Sequence, residues 1–153
     1  MVAYSADQAR SELLDDLAGA IDQLAFALAG VGEAYDELDE RTGDVLEQEV
    51  FKPLQSAYGR AKRTHTEFAR RHRLAERTFE DRSPGTHSPD PRVYLERAIE
   101  AIEQADQAIA ELQDSMMPVE VGDPELRAGL SDTRSLIAAL PARGRRLLRA
   151  LGR

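Results

Sequence analysis

Three histidines, His65, His72 and His87, are the residues that could bind a metal or titrate near neutral pH. His65 and His72 are seven positions apart, which is about 10.5 Å along a helix axis. A metal held by nitrogen ligands at about 2 Å cannot be shared across that separation. The chain also has no cysteine and no Glu-x-x-His pair of the di-iron type, so we predict no metal and no cofactor.

The two histidines lie within a hydrophobic repeat that steps by three and four residues: Phe51, Leu54, Tyr58, Ala61, His65, Phe68, His72, Ala75 and Phe79. Histidines in such a seam are expected to be core or boundary groups. Pairing with an antiparallel first helix places Glu12 and Asp16 opposite them as hydrogen-bonding partners. We therefore predict a pH-sensitive core at His65 and His72.

Carboxylates spaced three or four residues apart are the other candidate chemistry, in two sets: Glu33, Asp36, Glu37, Glu40 and Glu96, Glu100, Glu103, Asp106. All-helical nucleotide pyrophosphohydrolases hold magnesium with such clusters, but their second acidic motif follows the first closely. Here the two sets are far apart, and the chain has no Gly-rich phosphate loop and no recognisable catalytic set. We predict no catalytic residues, with a magnesium-dependent all-α hydrolase as an unfavoured alternative.

Helices must position these side chains, because a second seam has the same spacing: Leu14, Leu17, Ile21, Leu24, Leu28, Val31, Tyr35 and Leu38. A repeat averaging 3.5 residues keeps one stripe facing a partner helix, as in coiled-coil packing. Ser5 with Gln8, Asp90 with Pro91, and Asp123 with Pro124 are typical helix starts. Pro53 removes one backbone hydrogen bond, so a kink is expected over 44–52.

These signals predict one all-α domain over 1–153 with helices at about 6–41, 44–81, 91–116 and 124–150 and a loop at 83–90. Short connections make neighbouring helices antiparallel. The expected fold is therefore an antiparallel up-down-up-down four-helix bundle with a long N-terminal helical hairpin.

The net charge of −8 hides a segregated pattern, because residues 51–82 and 141–153 are basic and the rest is acidic. The up-down order would bring the ends of helices 2 and 4 to one pole. That basic pole predicts an anion-binding surface made of Arg60, Arg63, Arg70, Arg73, Arg77, Arg143, Arg145, Arg146 and Arg149. The favoured alternative is ordinary pairing of these arginines with the acidic residues of helix 1.

A stripe of small residues around one aromatic side chain lies opposite the leucine seam of helix 1: Gly19, Phe26 and Gly30. Glycine inside a helix costs about 1 kcal/mol relative to alanine, so close docking of another helix is expected to compensate. That helix belongs either to the same chain or to a second copy in a homodimer.

Taken together, the sequence favours a protein that is not an enzyme and acts by macromolecular interaction, with a protein partner or with itself. Nucleic acid is a less favoured partner, and the basic C-terminal tail would suit an anionic membrane surface. No secretory signal and no transmembrane segment are predicted. The absence of cysteine allows a cytoplasmic location.

Overall fold

The computed structural model describes residues 5–152, and that part of the chain contains helices and no strand. The all-α prediction is confirmed. The helices are α1 Ala6–Glu37, α2 Glu40–Leu46, a π-helical turn Glu47–Phe51, α3 Lys52–Arg71, α4 Pro91–Asp114, α5 Met117–Glu120, α6 Pro124–Ile137 and α7 Leu140–Leu151.

The three predicted helix starts are confirmed. Ser5 and Gln8 form a capping box in which the Gln8 amide donates to Ser5 Oγ at 3.0 Å. Asp90 caps α4 and Asp123 caps α6, each followed by proline in the first turn. These side chains accept from amides that have no partner inside the helix, which is why the starts can be read from the sequence.

Helix ends differ from the prediction. Helix 1 ends at Glu37 rather than near Arg41, because Asp39 accepts from the Thr42 amide and starts α2. Helix 2 ends at Arg71 rather than near 81, and Arg73 has a left-handed backbone with φ of 55°.

Two prolines account for the other helix irregularities. The fourth predicted helix is two helices, because α6 ends at Ile137 and α7 begins at Leu140, with Pro141 in its first turn. The expected irregularity before Pro53 is present as the π-helical turn. Pro53 has no amide hydrogen to give to the Glu49 carbonyl, and Arg143 Nη1 donates to that carbonyl at 3.1 Å instead.

Contacts near the helix ends give the direction of each long helix. Arg10 near the start of α1 donates to the Val121 carbonyl beyond α4, while Gly30 near the other end of α1 contacts Tyr94 at the start of α4. Thus α1 and α4 are antiparallel. Arg71 at the end of α3 binds Asp123 at the start of α6, at 2.9 Å, so this pair is antiparallel too.

His65 of α3 meets the Leu14 backbone of α1, and Tyr58 of α3 shares a depression with Leu28 of α1, so α3 also runs against α1. The order of directions is therefore up, down, down, up, and the predicted up-down-up-down order is wrong. We call the end with α2, the π-helical turn and the last turns of α7 the α2 end, and the opposite end the α5 end. The chain leaves α3 at the α5 end and must reach the α2 end before α4 begins. Residues 72–90 make this crossing without a helix, and we call them the strap.

The strap lies along α1 and α3. Phe79 covers His65 of α3, and Arg77 and Arg82 bind Asp22 of α1 at 3.2 and 2.9 Å. Near its end, the Ser88 amide donates to the Tyr94 hydroxyl at 2.8 Å. The loop predicted at 83–90 is thus only the last part of a longer connection.

The core centres on α1, which contacts both α3 and α4. Small residues let α1 and α4 approach closely, since a methyl group added at Gly30 would lie 3.0 Å from the Tyr94 carbonyl oxygen. A second close crossing joins α3 and α6, where Gly129 lies directly against Thr64. Both crossings need a residue without a side chain at the point of contact.

By length and composition, α1 could cross a membrane. More than half of its apolar stretch is buried inside the fold, and the core helix of a globular protein meets the same criterion.

Two glycine-to-alanine substitutions test this packing. Gly129→Ala would drive its methyl group into Thr64, and overpacking of this kind costs about 1–3 kcal/mol. A methyl group added at Gly19 would have no other atom within 4 Å, so Gly19→Ala should raise the free energy of unfolding by about 1 kcal/mol. Urea denaturation of both variants measures the difference. Equal effects of the two substitutions would contradict the α3–α6 contact.

Candidate functional site

The two histidines of the seam have different surroundings. His65 is 3% exposed, and its Nδ1 atom has no hydrogen-bond partner. Burial lowers the pKa of His65 below its ordinary 6.5 and Arg77 lowers it further, while the Leu14 backbone and Asp15 act in the opposite direction. His65 is thus a core histidine held in the neutral form.

His72 lies where α3 ends, and its Nε2 atom is 2.9 Å from Asp123 Oδ2. The predicted partners on helix 1 are wrong for His72, because α6 rather than α1 supplies its carboxylate. Partial burial would raise the pKa of Asp123, but hydrogen bonds from Arg71, the Leu126 amide and His72 lower it to about 2. This cluster joins the end of α3 to the start of α6.

The predicted single basic pole is wrong. The arginines of α3 lie toward the α5 end and those of α7 lie at the α2 end, because α3 and α7 do not end at the same side of the molecule. Most of the predicted anion-binding residues instead pair with acids: Arg60 with Asp132, Arg70 with Glu76, Arg77 with Asp22, Arg143 with Glu49 and Arg145 with Glu103. Among the described residues, Arg63, Arg73, Arg146 and Arg149 form no ion pair. Anion binding by these four stays a prediction.

The predicted self-association stripe is largely used inside the chain. Gly30 is buried against Tyr94 and Ala98 of α4, and Phe26 packs beside Gly85 of the strap. Gly19 alone of the three is exposed. Docking of another helix does occur at this face, but that helix is α4, so the expected homodimer surface cannot include Gly30.

The two predicted acidic sets do not form a metal centre. In residues 5–152, no three His, Cys, Asp or Glu side chains are arranged to hold an ion. Glu103 and Asp106 of the second set bind Arg145 and Arg134 instead.

The first acidic set contributes to an open groove of about 490 Å³ at the α2 end. We call it the acidic groove, and its lining is Ala29, Gly32, Glu33, Tyr35 and Asp36 from α1, Glu47 and Phe51 from the π-helical turn, and Pro84 from the strap. Alanine and glycine keep the floor shallow and apolar. The π-helical turn begins with Glu47 and ends with Phe51, and both side chains face the groove.

The charge around the acidic groove is strongly negative. Residues 33–52 include eight acidic and two basic side chains. In the described part of the chain, no cation pairs with Glu33, Asp36 or Glu47. The Tyr35 ring is 42% exposed beside them. Elsewhere in the fold, buried or half-buried carboxylates such as Asp123 are matched by arginine, so this surface is unusual within the molecule.

A second depression of about 530 Å³ continues the groove between α1 and α3. The two share Ala29 and Phe51, and the second extends to Tyr58, Lys62 and Arg82. From Phe51 to Lys62 the distance along α3 is about 16 Å, or roughly three helical turns. The second depression also includes Asp81, and Arg82 is paired with Asp22, so the combined groove has an acidic end and an end of mixed charge, and the strap forms one wall.

Comparison with family models, curated proteins and solved structures finds no match for this chain.

Sequence reasoning missed the groove because Tyr35 and Phe51 both continue the hydrophobic seams and were expected in the core. The available signals were Gly30 and Gly32 in the last turns of α1 and Pro53 after an acidic stretch. These residues indicate an irregular backbone, but they do not show that the strap passes beside the last turns of α1 and the π-helical turn.

Substituting Asp123 tests the α3–α6 cluster. Because its pKa is lowered from 3.8 to about 2, Asp123 adds stability that is present above pH 3.8 and is lost as pH falls toward 2. Asp123→Asn should cost about 2 kcal/mol at neutral pH and weaken the acid dependence. Denaturation at neutral and acid pH measures this, with Asp114→Asn as the exposed control. Identical pH profiles for Asp123→Asn and the native chain would show that the cluster contributes nothing.

Proposed function

We propose that this chain is not an enzyme and acts by binding a basic, amphipathic segment of another protein in the acidic groove. The proposal also takes the long helices as a four-helix bundle that serves as a rigid support. One observation carries the proposal: three carboxylates without a cationic partner surround an open groove that has an apolar floor and aromatic walls.

The charge of the groove favours a cationic ligand. Glu33, Asp36 and Glu47 are close enough to share one groove and are not neutralised from within the described chain. Exposed ion pairs contribute about 0.2–1 kcal/mol each, so three of them together would strengthen the binding of a basic segment. The exposed Tyr35 ring can also receive a lysine or arginine side chain on its face.

The length and floor of the groove favour a helix. Three turns of an amphipathic helix match the groove length, with apolar side chains at three- and four-residue spacing against Ala29, Gly32 and Leu28. At the other end of the groove, Lys62 can pair with an acidic residue, or with the carboxyl end, of the bound helix.

Binding rather than catalysis is supported by the residue types. The acidic groove has no histidine, cysteine, serine or lysine beside its carboxylates. A nucleophile with an adjacent base is therefore not formed there. A cytoplasmic location and self-association both stay predictions, and a second copy of the chain is one outcome of the test below.

The test uses a synthetic peptide of about 14 lysine and leucine residues with the leucines on one helical face, which spans the groove. Calorimetric titration should show binding that weakens as salt is raised from about 50 to about 300 mM. The triple variant Glu33→Gln, Asp36→Asn, Glu47→Gln should lose about tenfold in affinity.

A matched control removes the same charge elsewhere, with Glu96→Gln, Asp114→Asn and Glu125→Gln, which are exposed and outside the groove. This control should keep the native affinity. Equal losses in the two triple variants would mean that net charge alone attracts the peptide, and the groove assignment would be wrong. Sedimentation in the same salts shows whether a second copy competes for the site.

A further inference from the structure

Over α1 and α3, the strap is held by the ion pairs of Arg77 and Arg82 with Asp22 and by the ring contact between Phe79 and His65. Most of its side chains are exposed, and Phe79 is the aromatic residue that reaches the α1–α3 seam. The Phe79 and His65 rings meet edge to face, with centroids 5.0 Å apart and planes at 84°. The wall of the groove begins two residues after Phe79 in the strap, and it includes Asp81, Arg82 and Pro84.

His65 sits under this contact with one unused ring nitrogen. The charged groups that act on it are Asp15 of α1 and Arg77 of the strap, and the Leu14 backbone is a hydrogen-bond partner. Nδ1 is buried without a partner, so a proton added there would have no acceptor in the closed structure. A buried charge without a partner is strongly unfavourable.

We propose that His65 and Phe79 form a proton-sensitive latch that holds the strap closed near neutral pH and releases it in mild acid, which weakens binding in the acidic groove. The regulation of ligand affinity rests on the proposed function. The latch itself rests on the buried ring, its unused nitrogen and the position of Phe79 above it.

The surroundings of the latch favour release over a local adjustment. Arg77 already lies over the Phe79 ring, with its guanidinium carbon 5.3 Å from the centroid. An imidazolium at His65 would place a second positive charge beside the Phe79 ring and would repel Arg77. Asp15 is the nearest acid that acts on His65, but it is exposed on α1. Opening the strap brings water to the ring without unfolding a helix.

The sign of the pH dependence follows from burial. Burial lowers the pKa of His65 in the closed state, whereas an exposed ring has its ordinary value of 6.5. Above pH 6.5, protonation of His65 does not oppose the closed strap. As pH falls below 6.5, the free-energy advantage of the closed strap decreases, and it continues to decrease until the pH reaches the lowered pKa of His65 in the closed state. Within that interval, the ratio of open to closed strap rises about tenfold per pH unit.

Hydrogen exchange of the full chain, read by mass spectrometry, tests the latch. After correction for the intrinsic exchange rate, amides of 74–84 should exchange faster, by up to about tenfold, at about pH 5.5 than at about pH 7.5. The amides of α1, α3 and α4 should change little. An unchanged strap in the native chain would overturn the proposal.

Three variants isolate the groups. In His65→Leu, or in His65→Gln if the first variant does not fold, exchange of the strap amides should be the same at both pH values. Phe79→Leu should open the strap at about pH 7.5 as well, because the ring contact is lost. His72→Gln is the control and should respond as the native chain does. A pH response retained without His65 would contradict the latch.

Titration of the lysine–leucine peptide at both pH values separates the two proposals. The native chain should bind more weakly in mild acid, and the His65 variant should bind alike at both pH values. If the strap opens but the peptide binds at neither pH, the groove function is wrong and the latch stands. If the peptide binds and the strap stays closed, the latch is wrong and the groove function stands.

Discussion

The close antiparallel contact between α1 and α4 is the constraint on which the rest of this structure depends. Gly30 lets the backbone of α4 approach at Tyr94, and alanines continue the contact along both helices. Because α4 must run against α1, it must also begin at the α2 end, where α1 finishes. The chain leaves α3 at the opposite end, so a connection as long as the molecule is unavoidable. That connection is the strap, which both covers His65 and forms a wall of the groove.

Helix direction also decides where the charges fall. An up-down-up-down order would have gathered the arginines of α3 and α7 at one end, whereas the observed order separates them. Each group then meets acids from a different element, as Arg71 meets Asp123 and Arg145 meets Glu103. Ion pairs of this kind are individually weak, but they remove the uncompensated positive surface that the sequence suggests. Among the described residues, the carboxylates of Glu33, Asp36 and Glu47 at the α2 end have no such partner.

The sequence is informative where the deciding interaction is local. Capping by Ser5, Asp90 and Asp123 depends on neighbours three residues away or fewer, so the starts of α1, α4 and α6 could be predicted. Phe79 shows the limit, because it continues a helical repeat to its last position and yet lies in the strap. An apolar residue at the right spacing packs on the same seam from either conformation. Whether these residues form a helix or the strap depends on where α4 must begin and on the left-handed backbone of Arg73, and the repeat encodes neither.

The groove could not be predicted because three distant segments form it. Glu33 belongs to α1, Glu47 to a turn whose π-helical form follows from Pro53, and Pro84 to the strap. Arg143 donates to the Glu49 carbonyl that Pro53 leaves free, which ties α7 to this turn. Like charges at Glu33, Asp36 and Glu47 are thus kept together by the backbone rather than by an internal cation. Such a surface costs folding free energy, and a cationic ligand would recover that cost on binding.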